Sequence, residues 1–247
     1  MANIGFLAGW QDEVAKYCKG IDNANYQTLL LDEIRDLMRD FCKRTALWWY
    51  DVSFDVIAGT NYYKLSALIP QEPDDDAADI VLVESVKYKS DGEDSDSYRD
   101  LPPLRAWVEN VPGKNSGGWQ YFTGSEPTNF YYDELEETLL LYPTPELDSA
   151  PDGIEARLIL MPGHEAIEFP DFFYKQYKTE LGIGIAANLM QLTNKPWSNE
   201  ELGKIKGAEY DSWVTEAKSK KQSGYTRRTT QVQFPHFGGS RGSSWVF

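Results

Sequence analysis

Apolar positions along the chain follow two periods. Over residues 4–19, Leu7, Trp10, Val14, Tyr17 and Cys18 fall on one helical stripe, and Gly20 supplies a stop. Over 26–46, Leu30, Ile34, Leu37 and Phe41, with Leu31, Met38 and Cys42, recur at three- and four-residue spacing. Asp32, Glu33 and Asp36 come early, and Arg39, Lys43 and Arg44 late, the order that a helix dipole favours. From Trp48 the period becomes two. Val52, Phe54 and Val56 alternate with Ser53 and Asp55, Ala58-Gly59-Thr60-Asn61 offers a turn, and NYYKL returns. IVLVESVKYK (80–89) is a second strand signal, and GGWQYFTG, NFYYDE, TLLLYPTPE and IEARLILMP continue the pattern between Gly and Pro breaks. Residues 51–162 read as an all-β module of sandwich or open-barrel type.

The helical period resumes after Pro170. Asp171 is the expected N-cap, and Phe173, Tyr177, Leu181, Ile185, Asn188 or Leu189, and Leu192 share a face that ends at Asn194 and Pro196. Ser198-Asn199-Glu200-Glu201 reads as a capping box with Ser198 at the N-cap. Leu202, Ile205, Ala208, Trp213 and Ala217 give the last helix its apolar side, and after Gly224 periodicity is gone. The order predicts an α+β fold. N-terminal helices (1–50) and C-terminal helices (166–222) complete one bundle, a β module (51–165) is inserted between them, and an extended arm (223–247) follows.

Charge sharpens this picture. The 247 residues carry a formal net charge of -15. All 39 acids lie at or before Glu216, together with all but six of the 24 basic residues, so the body stands near -21. Lys218, Lys220, Lys221, Arg227, Arg228 and Arg241 follow it. So negative a body repels nucleic acid, whereas the basic tail is drawn to acidic surfaces. Hydrophobic residues make up 41% of the chain, enough for a core. No apolar run approaches the roughly 20 residues of a membrane helix. MANIGFLAGWQDEV does not read as a signal peptide. Cys18 and Cys42 fall on helical patterns and read as buried free thiols, in keeping with synthesis in a reducing cytosol.

Candidate chemistry is sparse. His164 and His236 are the only histidines, and neither stands at ligand spacing from a Cys or another His. Gly182-Ile183-Gly184-Ile185-Ala186-Ala187 matches G-x-G-x-x-A, but that motif works between a strand and a helix, and here the glycines fall mid-helix. They are expected to serve close helix–helix approach. The acidic runs Asp74-Asp75-Asp76 and Asp91, Glu93, Asp94, Asp96 lack EF-hand order and read as solvated loops. Asp133, Glu134, Glu136 and Glu137 are sequence neighbours, which does not establish the separation that a glycosidase carboxylate pair requires. No catalytic, cofactor-binding or metal-binding residue is expected. Trp107, Trp119, Tyr121, Phe122, Phe130, Tyr131 and Tyr132 leave open a carbohydrate-binding or glycan-cleaving alternative.

Several segments together resemble the head-to-tail adaptor (connector) proteins of short-tailed bacteriophages. They are LLLDEIRDLMRDFCKRTALWWYD, FDVIAGTNYYKL, LLLYPTPE, and the run from LILMPGHEAIEFPDFF to the Pro-Trp-x-Asn break at 196–199 and the helix after it. The similarity covers most of 26–234; residues 1–24 and 70–79 are not anchored by it. The resemblance implies a structural ring in the virion neck, usually of twelve copies, assembled in the host cytoplasm. The portal protein would lie above it and tail or nozzle proteins below, with double-stranded DNA passing through its channel without specific binding. A tail completion protein that does not contact the portal is the related alternative. In that frame the arm docks on the portal. QVQF (231–234) has the alternation of an added strand, and Arg227, Arg228, Phe234, Phe237, Arg241, Trp245 and Phe247 are its expected contact residues.

Overall fold

The computed structural model describes residues 4–21, 24–69, 78–90, 98–104, 122–166 and 169–222. The seven contact residues expected in the arm lie outside them, as do His236, Asp74–Asp76, the acids at 91–96, Trp107, Trp119 and Tyr121. The described chain is mixed α+β, with helices α1 (Ile4–Ala15), α2 (Gln27–Thr45), α3 (Asp171–Gln191) and α4 (Glu200–Gln222). Between α2 and α3 run β1 (Trp49–Phe54), β2 (Tyr62–Lys64), β3 (Asp79–Ser90), β4 (Arg99–Leu101) and β5 (Thr123–Gly124). They are followed by β6 (Asn129–Asp133), β7 (Thr138–Tyr142), β8 (Thr144–Pro145) and β9 (Ser149–Met161).

All four helices contribute to one hydrophobic cluster, including Trp10, Val14, Leu30, Ile34, Phe41, Phe173, Leu181, Ile185 and Tyr210. α3 is central to it: every residue from Leu181 to Ala187 is buried, as a helix apolar on all sides requires. Gly182 and Gly184 permit this. A Cβ at 182 would meet Glu13 Cγ of α1 at 2.5 Å, and one at 184 would meet Leu37 of α2 and Tyr210 of α4 at 2.8 Å. The mid-helix reading of G-x-G-x-x-A thus holds.

The boundaries of α3 and α4 need correction. Pro170, not Asp171, precedes the first turn of α3, and the Asp171 carboxylate instead accepts from Lys175 Nζ at 2.7 Å. Asn199, not Ser198, caps α4, its Oδ1 accepting the Leu202 N–H at 3.0 Å. The Ser198 hydroxyl is engaged in the connecting turn, where it accepts from the Lys195 N–H and donates to Leu192 O. The buried side of α4 is Gly203, Tyr210, Val214 and Ala217; Leu202 and Ile205 face outward, Ile205 being 59% exposed.

The largest sheet has the order β1-β9-β3-β4, all antiparallel, and a second has the order β2-β7-β6. A short parallel pair joins β5 and β8. Residues of the two antiparallel sheets share one hydrophobic cluster: Val52, Val86, Tyr88, Ile154, Ala156 and Leu158 from the first, Phe130, Leu139 and Leu141 from the second. The turn at 57–60 is present, with Gly59 at φ +77° and the Thr60 N–H donating to Ile57 O. The strands on its two sides do not pair, however. β1 joins β9 and β2 joins β7, so the chain crosses between sheets there. β6 and β7 form the local hairpin, closed by Glu137 at φ 51°.

Trp48 links the two clusters, packing against both. Arg39 of α2 adds a polar link, donating to Asp79 at the start of β3 and to Pro162 O after β9.

Candidate interaction surfaces

The C-terminal end of α4 is fixed in place. Lys221 Nζ donates to Ala46 O and to Glu84 Oε1, each at 2.7 Å. Ala46 is the left-handed residue that ends α2, at φ 53°, and β1 begins three residues later. α4 therefore ends near Ala46, three residues before β1.

β1 lies at the end of its sheet, and among the described residues its outer side has no strand partner. Trp49 is half exposed, and Tyr50, Asp51 and Ser53 are exposed. Arg157, reaching across from β9, holds this face together. Its guanidinium carbon lies 4.4 Å from the Trp49 ring centroid, and it donates to both Asp51 oxygens at 2.7 and 3.0 Å. Those hydrogen bonds hold the Asp51 carboxyl below the usual carboxylate range and raise Arg157 above its own.

A second surface is an open groove of about 580 Å³, lined by Gly59, Asn61, Tyr62, Asp133, Glu136 and Thr138 among others. Tyr62 is 67% exposed. Asp133 has a structural task here, because its Oδ1 accepts the N–H groups of Leu135 and Glu136 and shapes the hairpin tip. The aromatic set that left a sugar site open as an alternative divides. Phe130 is in the core, Phe122 and Tyr131 are exposed, and the Tyr132 hydroxyl is buried. Burial, with Glu137, Glu134 and Asp133 nearby, pushes the Tyr132 phenol up.

His164 is exposed beside its turn, with Nε2 at 3.2 Å from Arg39 Nη2. Cys18 and Cys42 are free and buried; the Cys18 thiol contacts Ala186 O at 3.7 Å, and burial pushes it up to about 12. Among the described residues no group of three or more His, Cys, Asp or Glu could hold a metal ion. No described helix is long and apolar enough to cross a membrane. Sequence reasoning missed the open edge of β1, because an edge is a property of pairing; the Asp51–Arg157 contact spans 106 positions.

In class, this is a mixed α+β structural protein of the bacteriophage adaptor type. It belongs to the SU10 adaptor protein family, whose sequence profile matches residues 7–171. The match takes in α1 from residue 7 on, a helix outside the segments that carry the family resemblance, and it ends at the first residue of α3. No curated protein matches the chain.

Proposed function

We propose that copies of this chain form a ring, twelve in number, in the neck of a phage particle, joining the portal protein to tail or nozzle proteins. Membership of the adaptor family over 7–171 is the observation that carries this reading. In it, the helices of 1–50 and 166–222 build one bundle that makes the ring wall, and the inserted β module of 51–165 meets neighbouring tail parts. The arm, 223–247, docks on the portal through Arg227, Arg228, Phe234, Phe237, Arg241, Trp245 and Phe247.

Three features support it. The outward-facing Leu202 and Ile205 of α4 suit contact between copies. The strongly acidic body suits a channel wall along which DNA slides without sticking. The basic, aromatic segment starts from a pinned helix end, and about 25 extended residues reach some 80 Å, enough to cross to another subunit. The role is structural, and chemistry at a substrate plays no part in it.

The test is deletion of 225–247. The truncated chain should fold with unchanged far-UV circular dichroism and lose association with the portal ring, measured by co-sedimentation. Normal portal association would refute arm docking, and retained binding to a tail end alone would favour a tail completion protein. The exposed Tyr62 in a groove with two carboxylates favours one rival, a carbohydrate-binding surface. A saturable change in intrinsic fluorescence on glycan titration would support that rival.

A further inference from the structure

The outer side of β1 is open along its whole length among the described residues, whereas β3 is open on its β4 side only over 79–85, a stretch interrupted by two register shifts. β2 and β4 are three residues each, and β6 is already flanked by 102–104, with the Leu104 N–H donating to Phe130 O and the Phe130 N–H to Pro102 O. β1 has six residues. The Leu160 N–H donates to Trp48 O, so by antiparallel alternation residues 50, 52 and 54 bond to β9, and the N–H and C=O groups of Trp49, Asp51 and Ser53 point away from it. Edges are commonly blunted by Lys, Pro or inward charges. The sequence here is WYDVSF, and its one charge, Asp51, is engaged by Arg157.

We propose that this edge receives residues 229–234 of a second copy of the chain, as a fifth strand of the four-stranded sheet. The inference rests on the ring reading and identifies one joint within it. TTQVQF matches β1 in length, is rich in strand formers and stops at Pro235. Thr230, Val232 and Phe234 alternate with the glutamines, so they extend the layer of Tyr50, Val52 and Phe54. α4 ends with Lys221 on Ala46 O, three residues before β1, and residues 223–228 add about 20 Å of reach.

Charge selects the neighbour over the chain's own edge. Bodies near -21 repel one another in a ring. Arg227 and Arg228, carried across with the strand, would meet the neighbour's Glu84 near the start of β1, or Asp55 and Asp148 near its end. Each tail then offsets the repulsion that the next body creates. In this joint Arg227, Arg228 and Phe234 engage the next copy in place of the portal, and Phe237, Arg241, Trp245 and Phe247 remain for the portal.

The test uses full chains assembled on the cognate portal ring, half carrying Ser53→Cys and half Gln231→Cys, treated with a bismaleimide. Cys18 and Cys42 are buried and do not compete. The expected result is a covalent dimer of one chain of each kind. Val232→Pro and Gln233→Pro remove adjacent N–H groups, one of which must face β1. One of the two should lower the dimer yield about tenfold, the equivalent of roughly 1.4 kcal/mol, without changing the melting temperature of the unassembled chain. Assembled rings without the cross-link would overturn this joint and leave the ring reading intact. So would a chain carrying both cysteines that links only to itself. Failure of any ring to form would overturn both.

Discussion

Gly184 of α3 and the ring of Tyr210 of α4 are in contact with no room for a side chain between them. A Cβ at 184 would stand 2.8 Å from Tyr210 Cδ2, and as near to Leu37 Cδ2 on the opposite flank. Gly184→Ala gains about 1 kcal/mol in helix propensity but forces two buried side chains to move, which costs about 1–3 kcal/mol. A net loss is expected, and Gly184→Val should lose more. Gly207 of α4 is the control, because nothing lies within 4 Å of an added Cβ. Gly207→Ala should therefore gain about 0.5–1 kcal/mol. Urea denaturation of the unassembled variants measures both. Equal gains from the two would show that the helices do not approach this closely.

The Asp51–Arg157 pair predicts a limb in the acid stability curve. Its hydrogen bonds lower the folded-state pKa of Asp51. The stabilisation is therefore fully present above the unfolded-state value, near 3.9, and is lost as pH falls through the lower folded-state value. Asp51→Asn removes the charge and keeps one acceptor. Wild type should exceed the variant in stability at pH 6, by under about 1 kcal/mol because the pair is partly solvated, and the two should converge toward pH 2. A constant difference at all pH values would mean that the pair does not titrate with folding.

The parts of the fold legible in the sequence are those set by local chemistry. The α2 face, the long strands β3 and β9 and the turn around Gly59 follow from periodicity and backbone freedom. What depends on distant partners is not legible. The turn at 57–60 suggests a hairpin, yet Trp49 pairs with Ile159 and Tyr62 with Leu140, and no local rule sets such registers. Leu202 and Ile205 read as the inner side of α4 because they are apolar. The buried side instead follows Gly203, whose lack of a side chain brings α4 within 3.0 Å of Ala187 O as measured from a built Cβ. Ser198 reads as a cap because its hydroxyl has no visible competitor in the sequence; in the fold, Lys195 and Leu192 claim it. Of the candidate surfaces, charge and composition mark the basic, aromatic segment 223–247 but not the open edge of β1.

The two cysteines report on the integrity of the helical cluster. Burial raises both thiols, that of Cys18 to about 12, which disfavours the reactive thiolate near pH 8. An aromatic disulfide reagent should titrate neither thiol in the native chain and both in denaturant. Rapid reaction of one thiol under native conditions would show that the cluster opens at that helix, because access would then control the rate.

Arg39 gives the most demanding test of how the two clusters are held together. It is 8% exposed, and its guanidinium reaches three groups from outside α2. Nη1 donates to Asp79 Oδ2 at 2.8 Å and to Pro162 O, and Nη2 lies 3.2 Å from His164 Nε2. Pro162 is buried, so Arg39→Ala leaves its carbonyl without this donor, while Asp79, one-third exposed, can recover water. The expected loss is about 2–4 kcal/mol. Arg39→Lys should recover less than half of it, because a single ammonium cannot span a carboxylate, a carbonyl and an imidazole held on separate segments. Asp79→Asn combined with Arg39→Ala should cost less than the two losses added, by about 0.5–3 kcal/mol, as interacting neighbours do. Additive losses would mean that the two side chains do not stabilise the fold through one another. A second signature follows from position. With Arg39 removed, the sheets lose their polar tie to α2, and unfolding followed by tryptophan fluorescence should separate from unfolding followed by circular dichroism. Coincident transitions in Arg39→Ala would show that Trp48, the apolar contacts around it and the Lys221–Glu84 pair suffice to couple the two clusters.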